Sequence, residues 1–171
     1  MLVIIALVGC DDAIEHSFII DFYPDATDPG SNTVSLNRID SDPDELVVAV
    51  DANDITSGAI HSVAFDMTFD PALFKYKTYE IGEFLERSGT VSYMVSTDSQ
   101  NAGRLIVGVS LLGSQNAVSG SGVFVYLHFE PLTFGSCSLL FENASVRDGS
   151  GFGGQPLTGI SWYGGFAQVS K

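Results

Sequence analysis

Basic residues are scarce in this chain. Seven Lys and Arg stand against 21 Asp and Glu, a formal net charge of −14 over 171 residues. Nucleic-acid binding is thereby excluded, because phosphate recognition rests on clustered Lys and Arg. Two cysteines, Cys10 and Cys137, supply neither a disulfide framework nor a structural zinc site, so a packed core must carry stability alone. A chain of this length can bury one. Histidine is limited to His16, His61 and His128, with no His-x-x-x-His pair, and no serine has the Gly-x-Ser-x-Gly setting of a nucleophile elbow. Glu142 and Asp66 are the two mid-strand carboxylates available for glycoside hydrolysis, but the other acids cluster in turns and at the acidic end of the chain. The reading is therefore a non-enzyme with no catalytic residues, no cofactor and no resident metal. Long apolar runs are absent too: the longest, residues 1–9, falls far short of the about 20 residues that a membrane-spanning helix needs.

What is present is a folded core. Hydrophobic residues make up 45% of the chain and charged residues only 16%, which argues against disorder. The acid is unevenly spread, since residues 11–54 hold twelve of the 21 acidic side chains and one base, Arg38. At the amino end, Leu7-Val8-Gly9-Cys10 resembles a bacterial lipobox, in which cleavage precedes a cysteine that then receives a lipid. Residues 1–9 suffice for the apolar core of a signal peptide. The basic stretch that normally precedes such a core is missing, which points to a start codon placed too late. The alternative is a buried strand, against which Asp11-Asp12 speaks. The expected organisation is a truncated lipoprotein signal peptide at 1–9, a lipidated Cys10 with an acidic linker at 10–32, and one domain at 33–171. The expected location is extracytoplasmic, at a membrane held by the lipid alone. Within the linker, Phe18-Ile19-Ile20-Asp21-Phe22-Tyr23 is an apolar island with room for one short strand.

From Thr33 onward the hydrophobic period is two. Val63, Phe65, Met67 and Phe69 alternate with Ser62, Ala64, Asp66 and Thr68, the mark of a strand with one buried face. Asp70-Pro71 ends it, because proline cannot extend a ladder. Further strands are expected at 34–39, 46–50, 74–81, 90–96, 104–112, 122–131, 136–146 and 160–169, with short helical turns only at 71–74 and 81–88. Nine short strands with turn punctuation predict an all-β, antiparallel, nine-stranded sandwich of jelly-roll topology.

Three local patterns invite a function. Asp40-x-Asp42-x-Asp44 imitates the opening of a calcium loop, but Glu45 replaces the required glycine and Asp51 the closing glutamate, so a solvated hairpin turn is the reading. Cys137, in a strand-like run, reads as a buried inert thiol. Trp162 and Tyr163 would alternate faces if extended, so at most one can serve a sugar-stacking platform, and core packing is the default for Trp162.

The succession Gly58-Ala-Ile-His-Ser-Val-Ala-Phe-Asp-Met-Thr-Phe-Asp70-Pro71-Ala-Leu-Phe74 resembles the third strand and following turn of bacterial cohesin domains. Ile81-Gly82-Glu83-Phe84-Leu85, Arg104-Leu-Ile-Val-Gly-Val-Ser110, Gly122-Val-Phe-Val-Tyr-Leu-His-Phe129 and Phe141-Glu-Asn-Ala-Ser-Val-Arg-Asp148 are similar to later stretches of the same family, in the correct order. Together they cover about residues 33–169. The resemblance implies a sandwich that binds protein, a dockerin-type partner, in the setting of polysaccharide degradation. In cellulosomal cohesins the face built from the eighth, third, sixth and fifth strands receives a calcium-loaded dockerin. Carried onto this chain, that face would present Ser62, Ala64, Asp66 and Thr68, then Arg104, Ile106, Gly108, Ser110 and Leu112. Ser92, Met94, Leu140 and Glu142 would complete it. Ser62 and Ala64 stand where family members often carry Asn and Asp, a departure from the ordinary recognition pattern. Ile106, Leu112, Leu140 and Met94 would form an apolar patch rimmed by Asp66, Arg104 and Glu142, which suits a protein interface. A solvated sheet face without function remains the other reading of the same residues. Rival functions are a carbohydrate-binding module of the same superfamily, using Trp162 and Tyr163, and a purely structural surface lipoprotein.

Overall fold

Alternating apolar and polar side chains form strands wherever the sequence repeats with period two. The computed structural model describes residues 18–39, 44–150 and 153–171. His16, Cys10 and the acidic pair Asp40 and Asp42 lie outside them. Eleven strands and one short helix are present among the described residues. One sheet has the order β1 (Ile19–Pro24), β11 (Gly165–Ser170), β9 (Gly135–Arg147), β4 (Ser62–Thr68), β7 (Asn101–Leu111), β6 (Val91–Asp98). The other runs β10 (Ser161–Tyr163), β2 (Thr33–Ile39), β3 (Leu46–Ile60), β8 (Val118–Pro131), β5 (Phe74–Ile81). All neighbours are antiparallel except β10 and β2, which run parallel. The helix α1 (Glu83–Glu86) falls in the expected 81–88 turn and sinks Phe84 and Leu85 into the core. None of the described helices is long and apolar enough to cross a membrane.

The all-β sandwich is thus as expected, and the two strands beyond nine have physical causes. The apolar island of the acidic segment is β1, which pairs along its whole length with β11. The stretch 160–169 divides at Gly164 into β10 and β11, one in each sheet. A side-chain carbon on Gly164 would lie 2.3 Å from the Leu139 carbonyl oxygen, so only glycine lets the chain cross there. Strand β3 continues to Ile60, beyond the expected end at residue 50, and its pairing with β8 shifts register repeatedly past Val50.

Between the sheets lies a core led by Phe65, Phe74, Phe84, Phe124 and Phe129. Phe129 meets Phe69 at 5.2 Å and Phe74 at 6.3 Å, both edge-on, the geometry that aromatic quadrupoles favour. At the end of β4 the Asp70 carboxylate accepts a hydrogen bond from the Ala72 N–H at 2.8 Å. That closes the Asp70-Pro71 turn and delivers Leu73 and Phe74 to the core.

Candidate functional site

Strands β9, β4, β7 and β6 lie side by side, so the residues expected on one face do share one. Ser62 stands opposite Ser110, and Ser110 opposite Ser92. In the next row Ala64 faces Gly108, which faces Met94. Then Asp66 faces Ile106 on one side and Glu142 on the other, and Thr68 lies between Arg104 and Leu140. Leu112 sits one residue beyond β7, held by its N–H to the Thr90 carbonyl at 2.9 Å.

Asp66 occupies the centre of this face but is only 8% exposed, a much smaller polar presence than its alternation predicts. Its carboxylate pairs with the Arg104 guanidinium across the β4–β7 ladder and accepts a hydrogen bond from the Asn143 amide at 2.6 Å. Asn143 reaches it through a bulge: Ala64 pairs with Ser145 but Asp66 with Glu142, so β9 carries one extra residue there. Asn143 itself takes the left-handed conformation, φ 49°. Bulges re-aim side chains in this way. The Arg104 hydrogen bond holds the Asp66 carboxyl below its ordinary titration range, against the opposing pull of burial and with the help of Asn143.

Around this pair, beside exposed Glu142, the face carries open apolar side chains. Met94 is 57% exposed, Leu112 48%, Leu140 47% and Ile106 36%. Gly108 leaves the floor between Ala64 and Met94 low, and a side-chain carbon placed there would meet nothing within 4 Å. Sequence reasoning missed Asn143, whose role depends on the bulge. It also missed Tyr23 and Phe166, which pair directly across β1 and β11 on the same sheet and are both exposed. The alternation of Phe166 with the buried Gly165 and Ala167 was the available signal.

The other singled-out residues sit elsewhere. Trp162 is half-buried, with its ring 5.0 Å from Phe141 and 5.9 Å from Phe65, so it packs against the core. Tyr163 is half-buried beside it in sequence. Cys137 is a free thiol packed against the core, and burial raises its pKa. His128 lies on the second sheet, its Nδ1 3.2 Å from Glu45, whose other carboxylate oxygen is 3.0 Å from Lys77 Nζ. Burial pushes Glu45 upward, but the hydrogen bonds from Lys77 and His128 outweigh it and leave the carboxyl below its ordinary range. Among the described residues, no group of three or more His, Cys, Asp or Glu is placed to hold a metal ion.

No curated protein matches this chain in sequence. Among solved structures, the chain is similar to a non-cellulosomal cohesin from the archaeon Archaeoglobus fulgidus at 13% identity, with a TM-score of 0.55 over 86% of this chain and 88% of that one. The sixth cohesin of scaffoldin B from Acetivibrio cellulolyticus, solved in complex with a mutant Cel5 dockerin, is 18% identical with a TM-score of 0.60, over 80% of this chain and 97% of that one. A cohesin from Clostridium acetobutylicum, solved in solution, is 17% identical with a TM-score of 0.59, over 78% and 87%. The family defined as the cohesin domain matches residues 33–149, more than half of the chain, and the protein belongs to that family.

Proposed function

We propose that this protein is a non-catalytic binding module whose β9-β4-β7-β6 face receives a protein partner of the dockerin type. The observation that carries the reading is the exposed apolar set of Met94, Ile106, Leu112 and Leu140 on the same face as the Asp66–Arg104 pair. Apolar side chains ringed by polar ones are what the centre of a protein interface uses. The complex in which the Acetivibrio cohesin was solved supports a dockerin as the class of partner. The motif ending in Cys10 supports the further reading that the module is lipid-anchored on the extracytoplasmic side of a membrane, with the acidic segment as spacer. On that reading it serves polysaccharide breakdown by holding a carbohydrate-active enzyme.

The test is titration of the purified chain with a panel of dockerins, with and without calcium, beside a pull-down on insoluble polysaccharides. Saturable dockerin binding that Leu112→Asp weakens supports the face. Affinity unchanged in Leu112→Asp overturns it, and retention on glucan with no dockerin bound overturns the protein-partner reading. For the anchor, Cys10→Ser should release the protein from the membrane fraction and abolish labelling by a fatty-acid probe.

A carbohydrate ligand is the second reading, favoured by one observation. Tyr23 and Phe166 are neighbours in register and both exposed, the beginning of an aromatic platform.

A further inference from the structure

A sandwich of two open sheets has four edges, and each edge strand offers unpaired backbone groups to any other strand. Three of the four edges are guarded here. Strand β1 ends in Pro24 and carries Asp21, and the Arg38 side chain donates to its Ile20 carbonyl. Strand β10 is three residues long. Strand β5 bears Lys75, Lys77 and Glu80, and its pairing with β8 is broken by a register shift between Tyr76 and Thr78. Charge, proline, shortness and bulging are the devices that keep edges from pairing.

Strand β6 has these only at its last residue, where the charge of Asp98 coincides with a register shift against β7. Its sequence Val91-Ser-Tyr-Met-Val-Ser-Thr-Asp98 holds no charge before its last residue and no proline. It pairs with β7 without a shift from Val91 to Thr97. On its other side it has no neighbouring strand among the described residues. Tyr93 and Met94, at its middle, are 50% and 57% exposed.

We propose that β6 pairs with β6 of a second copy of this chain, antiparallel across a two-fold axis, to form a dimer with one continuous sheet. The occupant follows from the other edges. Docking β6 onto β1, β5 or β10 of another copy would meet a guarded edge, so the isologous arrangement is the one left, and it closes at two chains. The register follows from the strand itself. In an antiparallel pair opposing residues share a face, so a two-fold must set one residue against its own copy. Centring on Met94 uses the whole strand. Tyr93 then opposes Val95, Ser92 opposes Ser96, Val91 opposes Thr97, and Asp98 falls opposite Thr90, so no like charges meet despite the net charge of −14. A two-fold perpendicular to the sheet keeps both copies of the β9-β4-β7-β6 face on the same side. The inference goes beyond the proposed function and does not need it, since the dimer forms without any other partner.

The experiment is sedimentation equilibrium of the full chain over a wide concentration range, at low and high salt. The expected result is a mass that rises from one chain to two and no further, with tighter association at high salt as the repulsion between acidic chains is screened. Met94→Lys and Met94→Glu, at an exposed site outside the core, should each weaken self-association by about tenfold or more, because identical charges meet at the axis. An equimolar mixture of the two variants should recover the dimer. Circular dichroism checks that each variant is folded. A mass of one chain at every concentration overturns the proposal. So does a dimer unaffected by either Met94 variant, or one that the mixture does not restore.

Discussion

The two sheets enclose one core but turn different chemistry outward. On the second sheet charged groups settle one another across strands: a largely covered Glu45 between Lys77 and His128, and the exposed pair of Lys75 with Glu130 at 3.8 Å. On the first sheet Asp66 is nearly covered by its pairing with Arg104, and the exposed side chains include Met94, Ile106, Leu112 and Leu140 with Glu142 among them. Charges in water that already have partners gain little from another protein. Apolar area gains about 25 cal/mol for each Å² removed from water. Under the proposed function, the first sheet is therefore the adhesive one and the second its solvated back.

The largest expected effect tests whether the faces differ in spite of a common support. Phe65→Ala, beneath the adhesive face, and Phe129→Ala, beneath the charged one, should each cost about 3–5 kcal/mol in denaturant unfolding. A loss for one alone would show that the sheets do not share a core. Next in size, Leu140→Asp should weaken partner binding by about 2 kcal/mol, roughly thirtyfold, in calorimetric titration. Its unfolding free energy should stay within about 0.5 kcal/mol of wild type. Glu80→Ala, on the charged face, should leave binding unchanged, and equal losses from both would erase the distinction between the faces.

Smaller effects come from two aspartates that titrate in opposite directions. Asp66 is held below the ordinary carboxylate range by Arg104, so ionisation favours the folded state. That stabilisation is complete above the unfolded value of about 3.9 and is lost as pH falls through the lower folded value. Asp66→Asn should remove this acid-side slope from a plot of unfolding free energy against pH. Asp51, on the second sheet, is raised by burial, against a hydrogen bond from Asn37 and with a contribution from Glu83. Its ionisation opposes folding as pH rises from the unfolded value and fully so above the folded one. Asp51→Asn should therefore raise the melting temperature modestly at pH 7 and leave it unchanged in acid, where the wild-type group is already neutral.

The strands were legible because burial of one face writes a period of two. That alternation by itself places Val63, Phe65, Met67 and Phe69 in the core and points Ser62, Ala64 and Thr68 outward. The expected limits of β5 coincide with the observed ones, since Asp70-Pro71 opens its approach and Gly82 closes it. The tail of β3 was not legible. Its residues from Asp51 to Ala59 mix polar and small side chains, and the strand persists there through irregular pairing with β8. The candidate face was legible as a set of outward positions, but its electrostatics were not. Asp66 alternates like a surface residue and is nearly buried, because Arg104 and Asn143 arrive from different strands.

By itself the sequence determined the class of fold, the acidic character and the want of catalytic and metal motifs, because composition and short-range period carry those directly. Tertiary structure decided which strands became neighbours, hence which apolar side chains form one patch, which charge is covered and which edge is left open. Those properties depend on pairings between residues far apart in the chain: Asp66 with Asn143, |i−j| of 77, is joined only when β4 lies beside a bulged β9. No local pattern encodes such a meeting, since each strand's alternation is satisfied equally well beside several others.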